Sequence, residues 1–318
     1  MRSSKLVLRR SVAILVVSIA VYFFAKSLGR NWVEVQSISL RPDIYSVLGV
    51  LCFMSSVLLS SILWSHVMKK IMPSKPVSVK DAVRVHTASW LLKYVPGQAG
   101  SYVNKVSWGS RNGYSKKAIT NSFIYENALL LFGSLILSVP VIITVLSGRF
   151  SQNLALFVPL LVVVPLVLVL HQGVFYKITN TIFQKLRGQT IAKDLFLRTE
   201  QIALLQLEFL LPRILIGVGF VLIARSLVPF GVEAYIPLAA IYILAGVIGL
   251  LAIFVPSGLG VREAVIVLLA SAYMSPAEAV VVSVAARFYA TIADVGLAAI
   301  YGLLAPNSSR ANSKEAQA

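Results

Sequence analysis

The sequence predicts an all-α, polytopic integral membrane protein, and three observations carry that prediction. Of its 318 residues 58% are apolar and 13% charged, with a mean hydropathy of +0.83, whereas a soluble domain holds roughly a quarter of its residues as charges. Several runs reach the ~20 apolar residues needed to cross the hydrocarbon core. The 29 Lys/Arg outnumber the 12 Asp/Glu to give a net charge of +17, and they gather in short segments between the apolar runs. That pattern orients membrane helices, and it speaks against a nucleic-acid surface.

Taken in order, the chain opens with Arg2, Lys5, Arg9 and Arg10 ahead of the apolar stretch Ser11–Phe24. No small-x-small cleavage site follows, so the segment reads as a retained signal anchor. Six full spans are expected: Ser11–Leu28, Ile44–Val67, Ala118–Leu146, Leu154–Leu170, Ile202–Val228 and Ala277–Leu304. Ten Lys/Arg fall in Lys69–Lys117 and five in Lys177–Arg198. The opposite loops hold only Lys26, Arg30 and Arg41, then Arg149, then Glu233 with no base. With the richer loops inside, both termini are expected in the cytoplasm of a bacterial or archaeal cell. Residues 1–305 read as a single transmembrane domain, and 306–318 as a polar cytoplasmic tail with too little apolar content to order itself.

Two stretches do not fit as simple spans. Ser78 and Asp81 form a capping box that opens a helix running to Tyr94, which Val95-Pro96-Gly97 breaks. Tyr235–Tyr273 is broken at Val255-Pro256-Ser257-Gly258-Leu259-Gly260. Each reads as a re-entrant pair of short helices, a shape tolerated at membrane depth only where protein or a water-filled cavity satisfies the exposed backbone. The alternative for the second is an ordinary span over Tyr235–Phe254.

The two stretches repeat without a gap at an offset of 160: Val95, Pro96, Gly100 and Ser115 map onto Val255, Pro256, Gly260 and Ser275. In both, a half-helix of about 12 residues follows the break, and a serine N-cap opens a long span. Ser275-Pro276-Ala277-Glu278 adds proline at the first helical position and a capping glutamate. The half-repeats, about 78–147 and 235–304, would enter from opposite sides. Such an inverted repeat places a transporter's binding site at the midplane breaks.

Charged side chains inside apolar spans cost about 2.5–3.5 kcal/mol each on insertion scales and face a bundle interior or cavity. Here they are Glu126, Glu208, Arg213, Arg287 and Asp294. Arg287 and Asp294, two turns apart, share a helix face. Glu126 stands at position 286 of the repeat frame, so a Glu126–Arg287 pair across the repeat interface is expected, and Glu208 with Arg213 forms a candidate intramembrane pair. One reading makes all five interhelical pins; the other makes them a polar substrate pathway. At the second break Gly258 and Gly260 allow close backbone approach, and a helix opening at Val261-Arg262-Glu263 would aim N–H groups and the Arg262 fork at a phosphate or carboxylate. The first break has Lys93 before it and Lys105 after it.

Nothing in the sequence matches a hydrolase or transferase centre: there is no Ser/His/Asp arrangement and no phosphate loop ending in Gly-Lys-Ser/Thr. Cys52 is the single cysteine, and His66, His86 and His171 are scattered, so neither a disulfide framework, a metal nor a cofactor is expected.

Leu92-Lys93-Tyr94-Val95-Pro96-Gly97 and Val255-Pro256-Ser257-Gly258-Leu259-Gly260-Val261-Arg262-Glu263-Ala264 resemble signatures of the flippase-like transmembrane domain of lysylphosphatidylglycerol synthases and its stand-alone relatives. The resemblance spans roughly Ser11–Leu304. It implies movement of a lipid or lipid-linked headgroup between leaflets, and some relatives accompany cell-surface glycan assembly. It assigns Lys93, Tyr94, Pro96 and Gly97 to the first signature, and Pro256, Gly258, Gly260, Arg262 and Glu263 to the second; Glu126 falls where the family often has an acid. Gln98-Ala99-Gly100-Ser101 is smaller and more polar than relatives have after the first break. No soluble aminoacyl-transferring domain lies within the resemblance, so lipid lysylation is not implied. The expectation is therefore a non-enzymatic translocase or scramblase for an anionic or phosphate-linked membrane lipid. The alternatives are a scaffold or accessory subunit with envelope-biosynthesis partners and, third, a membrane enzyme acting on a polyprenyl phosphate.

Overall fold

The computed structural model describes residues 42–94, 99–147, 171–252 and 260–304, with the single positions 164 and 258. The spans expected at Ser11–Leu28 and Leu154–Leu170, Pro96, Gly97, Pro256 and the tail lie outside the described residues. Among the described residues the chain is helical with no strand. Its long helices are α1 (Ile44–Ile71), α4 (Lys116–Ser147), α6 (Thr199–Leu227), α7 (Tyr235–Leu251) and α9 (Pro276–Leu304). The shorter ones are α2 (Val79–Leu91), α3 (Ala99–Arg111), α5 (Gln172–Arg187) and α8 (Val261–Ala270).

The punctuation read from the sequence sets these boundaries. Ser78 Oγ accepts the Asp81 N–H at 3.1 Å, and its hydroxyl donates to the Asp81 carboxylate at 2.8 Å. Ser275 and Glu278 make the reciprocal box at α9, with Ser275 N–H donating to Glu278 Oε2 at 2.8 Å and Glu278 N–H to Ser275 Oγ at 3.3 Å. The α9 box is reciprocal, whereas at α2 the expected box is only a serine cap, because Asp81 accepts from the Ser78 hydroxyl and not from the Ser78 N–H. Asp43 and Ser46 make a further reciprocal cap at α1 that the sequence reading does not include. α2 tightens into a 3₁₀ turn at Leu92–Tyr94 just before the first break.

Five stretches are long and apolar enough to cross a membrane: Ile44–Ile71, Lys116–Thr144, Lys193–Leu227, Val232–Leu251 and Pro276–Leu304. Four correspond to expected spans, shifted by a few residues. The fifth, Val232–Leu251, is the segment read above as one arm of a re-entrant pair, and its length also suits a crossing.

One packing pattern occurs twice. α1 lies against α2 and α4, α2 against α3, and α3 against α4; likewise α6 lies against α7 and α9, α7 against α8, and α8 against α9. Between these two groups α1 and α6 share the most extensive interface, while α4 packs on α6 and α7 as α9 packs on α1 and α2. Helices gain little from burying apolar surface against one another in lipid, so close packing of small residues takes over. A Cβ on Gly49 of α1 would stand 2.9 Å from the Gly219 carbonyl oxygen of α6, and one on Gly219 would stand 2.8 Å from the Phe53 ring. Ser56 of α1 donates to the Pro212 carbonyl of α6 at 2.8 Å, fixing the helix just before Arg213.

The basic segment between α4 and α6 is tied down by buried polar contacts. Asn180 of α5 both donates to and accepts from Ile191 backbone, at 3.1 and 2.7 Å. Tyr125 of α4 stacks on Phe175 at 4.3 Å and accepts the Leu197 N–H at 3.0 Å.

Candidate functional site

Charged side chains gather at two centres, each drawn from a long helix, a half-helix and the helix leading into it. At the first, α2, α3 and α4 bring together His86, Lys105 and Glu126. Glu126 Oε1 meets His86 Nδ1 at 3.0 Å, and its other oxygen accepts from Lys105 Nζ. Lys105 also stands 4.6 Å from the centre of the Trp64 ring. Lys105 is 1% exposed and Glu126 4%. This centre is closed and internally paired, as buried charges must be.

The second centre is a pocket whose walls include Lys93, Tyr242, Arg262, Glu263, Arg287 and Asp294. Lys93, from the turn after α2, reaches Asp294 of α9 at 2.7 Å, and Trp90 Nε1 donates to the same carboxylate at 2.8 Å. Glu263 lies 3.7 Å from Arg287 through one oxygen and accepts the Gly260 N–H at 2.7 Å through the other. Glu263 thus closes a capping bond on the N-cap Gly260 and sets a carboxylate beside the positive end of α8. Arg262 projects differently. Its guanidinium sits 4.0 Å above the Tyr242 ring, a ring itself stacked on Phe220 at 4.4 Å and Phe53 at 5.6 Å. The aromatic stack holds one face of a planar cation and leaves its edge donors available.

The glycines explain how the break can be this tight. Gly258 and Gly260 have φ of 64° and 80°, a region open to glycine at little cost. A Cβ on Gly258 would lie 2.7 Å from the Gly249 Cα of α7. Glycine at this position permits a close approach between α7 and Gly258.

With the geometry in view, sequence comparison supplies the classification. The model of the lysylphosphatidylglycerol synthase TM region matches residues 10–298. The chain belongs to that family. No curated protein matches it significantly. Membership in the lysylphosphatidylglycerol synthase TM family, together with the apolar helices, makes this a multi-pass membrane protein with a function related to membrane lipids.

Of the residues singled out in the family's signatures and spans, Lys93, Arg262, Glu263, Arg287 and Asp294 share the pocket, and Gly258 and Gly260 shape its approach. Tyr94 closes the 3₁₀ turn. Two expectations are corrected. Glu126 is held by His86 and Lys105 in its own half, while Arg287 stands beside Glu263, so Glu126 and Arg287 do not pair. Glu208 and Arg213 do not pair either: five residues apart on a helix they point roughly 140° from each other. Glu208 instead meets His66 of α1 at 3.1 Å, and Arg213 Nε is buried with no hydrogen-bond partner. Sequence reasoning missed Trp90, Tyr242 and His86. His86, Trp90 and Lys93, spaced four and three apart along α2 and the 3₁₀ turn that ends it, follow a helical spacing, and that spacing was the available signal.

Proposed function

We propose that this chain moves a lipid with an anionic or phosphate-linked headgroup between the leaflets of the cytoplasmic membrane, without altering it covalently. The observation that carries the reading is Arg262. In a pocket where Lys93 and Arg287 each face a carboxylate, Arg262 makes no ion pair within 4 Å among the described residues and rests on the Tyr242 ring, which leaves its charge for a headgroup. A planar guanidinium suits a phosphate through paired N–H donors.

The doubled packing pattern supports an inverted repeat. It extends the relation at offset 160 to α1 and α6, so that α1–α4 correspond to α6–α9. In this reading α2–α3 and α7–α8 are re-entrant pairs entering from opposite sides, and both termini face the cytoplasm, as the basic segments favour. α8, with ten residues, rises only about 15 Å and is too short to cross alone. Counted from the cytoplasmic ends of their helices, Glu126 lies about 15 Å deep and Arg213 about 21 Å deep.

The scaffold reading draws on the closed His86–Lys105–Glu126 centre, which has the character of a structural pin. Leaflet exchange separates the two. Purified protein in phosphatidylcholine vesicles containing headgroup-accessible fluorescent phosphatidylglycerol should speed the loss of inner-leaflet protection above protein-free vesicles and above Arg262→Ala protein. Exchange no faster than in protein-free vesicles overturns transport, and recovery of a covalently changed lipid points to an enzyme.

A further inference from the structure

A second cleft, of about 440 Å³, opens between α3, the start of α4 and α5, and shares no residue with the Arg262 pocket. Its lining is graded in polarity. Lys116 and Lys117, exposed in the first turn of α4, supply two positive charges, and no acid lines the cleft. Val103 and Val106 of α3 and Phe183 of α5 supply an apolar wall. The floor is made where the Tyr102 and Thr120 hydroxyls meet at 3.1 Å and the Tyr102 ring meets Phe123 edge-on at 5.5 Å. Lys105 stands 5.8 Å from the centre of the Phe123 ring and is not part of the lining. Glu126, already held by Lys105 and His86, is therefore no counter-charge for the two lysines.

The grading follows the membrane. Lys116 begins a stretch long and apolar enough to cross, and α3 packs against that helix. Lys105, two residues from Val103, reaches Glu126, which is ten residues into α4. The apolar wall thus lies on the membrane side of the lysines. Val103 keeps 58% of its surface exposed, which suits contact with hydrocarbon and costs free energy in water. Ammonium groups where a helix leaves the bilayer, hydroxyls beside them and an apolar wall at greater depth match an anionic headgroup above its acyl chains. An acidic protein segment would answer the lysines but has no reason to descend along the wall.

We propose that this cleft docks one anionic glycerophospholipid of the adjoining leaflet, its phosphate at Lys116 and Lys117 and an acyl chain along Val103, Val106 and Phe183. It is a second lipid site, and it stands whether or not the Arg262 pocket carries lipid across.

The test is made in the Arg262→Ala protein, where the pocket contributes least, and it reads binding without transport. Purified protein in detergent is titrated with phosphatidylglycerol or with phosphatidylcholine of the same acyl chains, and bound lipid is counted by native mass spectrometry. Two further variants are made on that background: Lys116→Gln with Lys117→Gln, and Lys80→Gln with Lys193→Gln, which removes the same charge outside the cleft. Arg262→Ala alone should hold one phosphatidylglycerol in preference to phosphatidylcholine. Loss of the cleft lysines should weaken that lipid by about fivefold for each lysine, with the melting temperature and phosphatidylcholine binding unchanged. The control pair should bind as Arg262→Ala does. Glycerol phosphate, which has the charge and no chain, should fail to displace the lipid. No preference for the anionic lipid, equal losses in the two lysine pairs, or displacement by glycerol phosphate overturns the site. Full lipid retention without the cleft lysines also overturns it, and is the result expected if an acidic protein segment is the occupant.

Discussion

At the scale of single residues, burial decides what each charge can do. Glu126 has both oxygens occupied in a closed site, and removing it strands Lys105, which has almost no contact with solvent. Glu126→Gln should therefore cost about 3–5 kcal/mol, and Glu126→Gln with Lys105→Met should recover much of that loss. Denaturation in detergent gives the cycle, and strictly additive losses would show that the two do not act as a pair. Arg262 sits in an open pocket, so Arg262→Ala should leave the melting temperature nearly unchanged while slowing exchange of anionic lipids. Arg262→Lys should restore only part of the rate, because lysine keeps the charge and loses the planar fork. Composition exposed only some of this distinction. The ten basic residues of Lys69–Lys117 look alike as an orientation signal, yet the fold draws Lys93 and Lys105 inside while Lys69 and Lys75 remain outward. Partner choice was not legible, because a carboxylate within reach of several cations selects by three-dimensional distance, and the repeat frame places Glu126 near Arg287 only along the sequence.

At the scale of elements, helix starts were the most readable feature, since capping chemistry is local: Ser78 with Asp81 and Ser275 with Glu278 act through side chains three residues apart. Helix breaks were readable from proline and glycine for the same reason. The purpose of a break was less so, because Gly258 yields space to another backbone that lies nine residues away in sequence. Gly258→Ala should destabilise the protein by more than the ~1–2 kcal/mol of a left-handed backbone alone, since its Cβ would also meet the Gly249 Cα at 2.7 Å. Gly246→Ala on the same helix has nothing within 4 Å of its new Cβ and should be neutral or slightly stabilising. Melting temperatures of the two variants, measured side by side, check the contrast; equal values would show that the contact between α7 and the break carries no cost of its own.

At the scale of the whole molecule, hydropathy located four spans that the described residues contain but could not say whether a 20-residue apolar segment crosses or returns. Val232–Leu251 satisfies the length for one, and the broken, short α8 that follows supports the other. Cysteine labelling in a Cys52→Ser background decides it. If α7 and α8 form a re-entrant pair from outside, cysteines replacing Ala234 and Met274 should both react with an impermeant reagent added externally; labelling of position 274 from the cytoplasmic side alone excludes the pair. The exchange of α1–α4 with α6–α9 was only half visible in the sequence, because α1 and α6 correspond through packing and share little spelling. The clasp of Trp90 and Lys93 on Asp294 joins those two groups, so any rocking of one against the other has to part it or carry it along. On the transport reading its strength acts as an escapement, and Asp294→Asn should raise the rate of leaflet exchange in vesicles while lowering the melting temperature, both measured against the wild type.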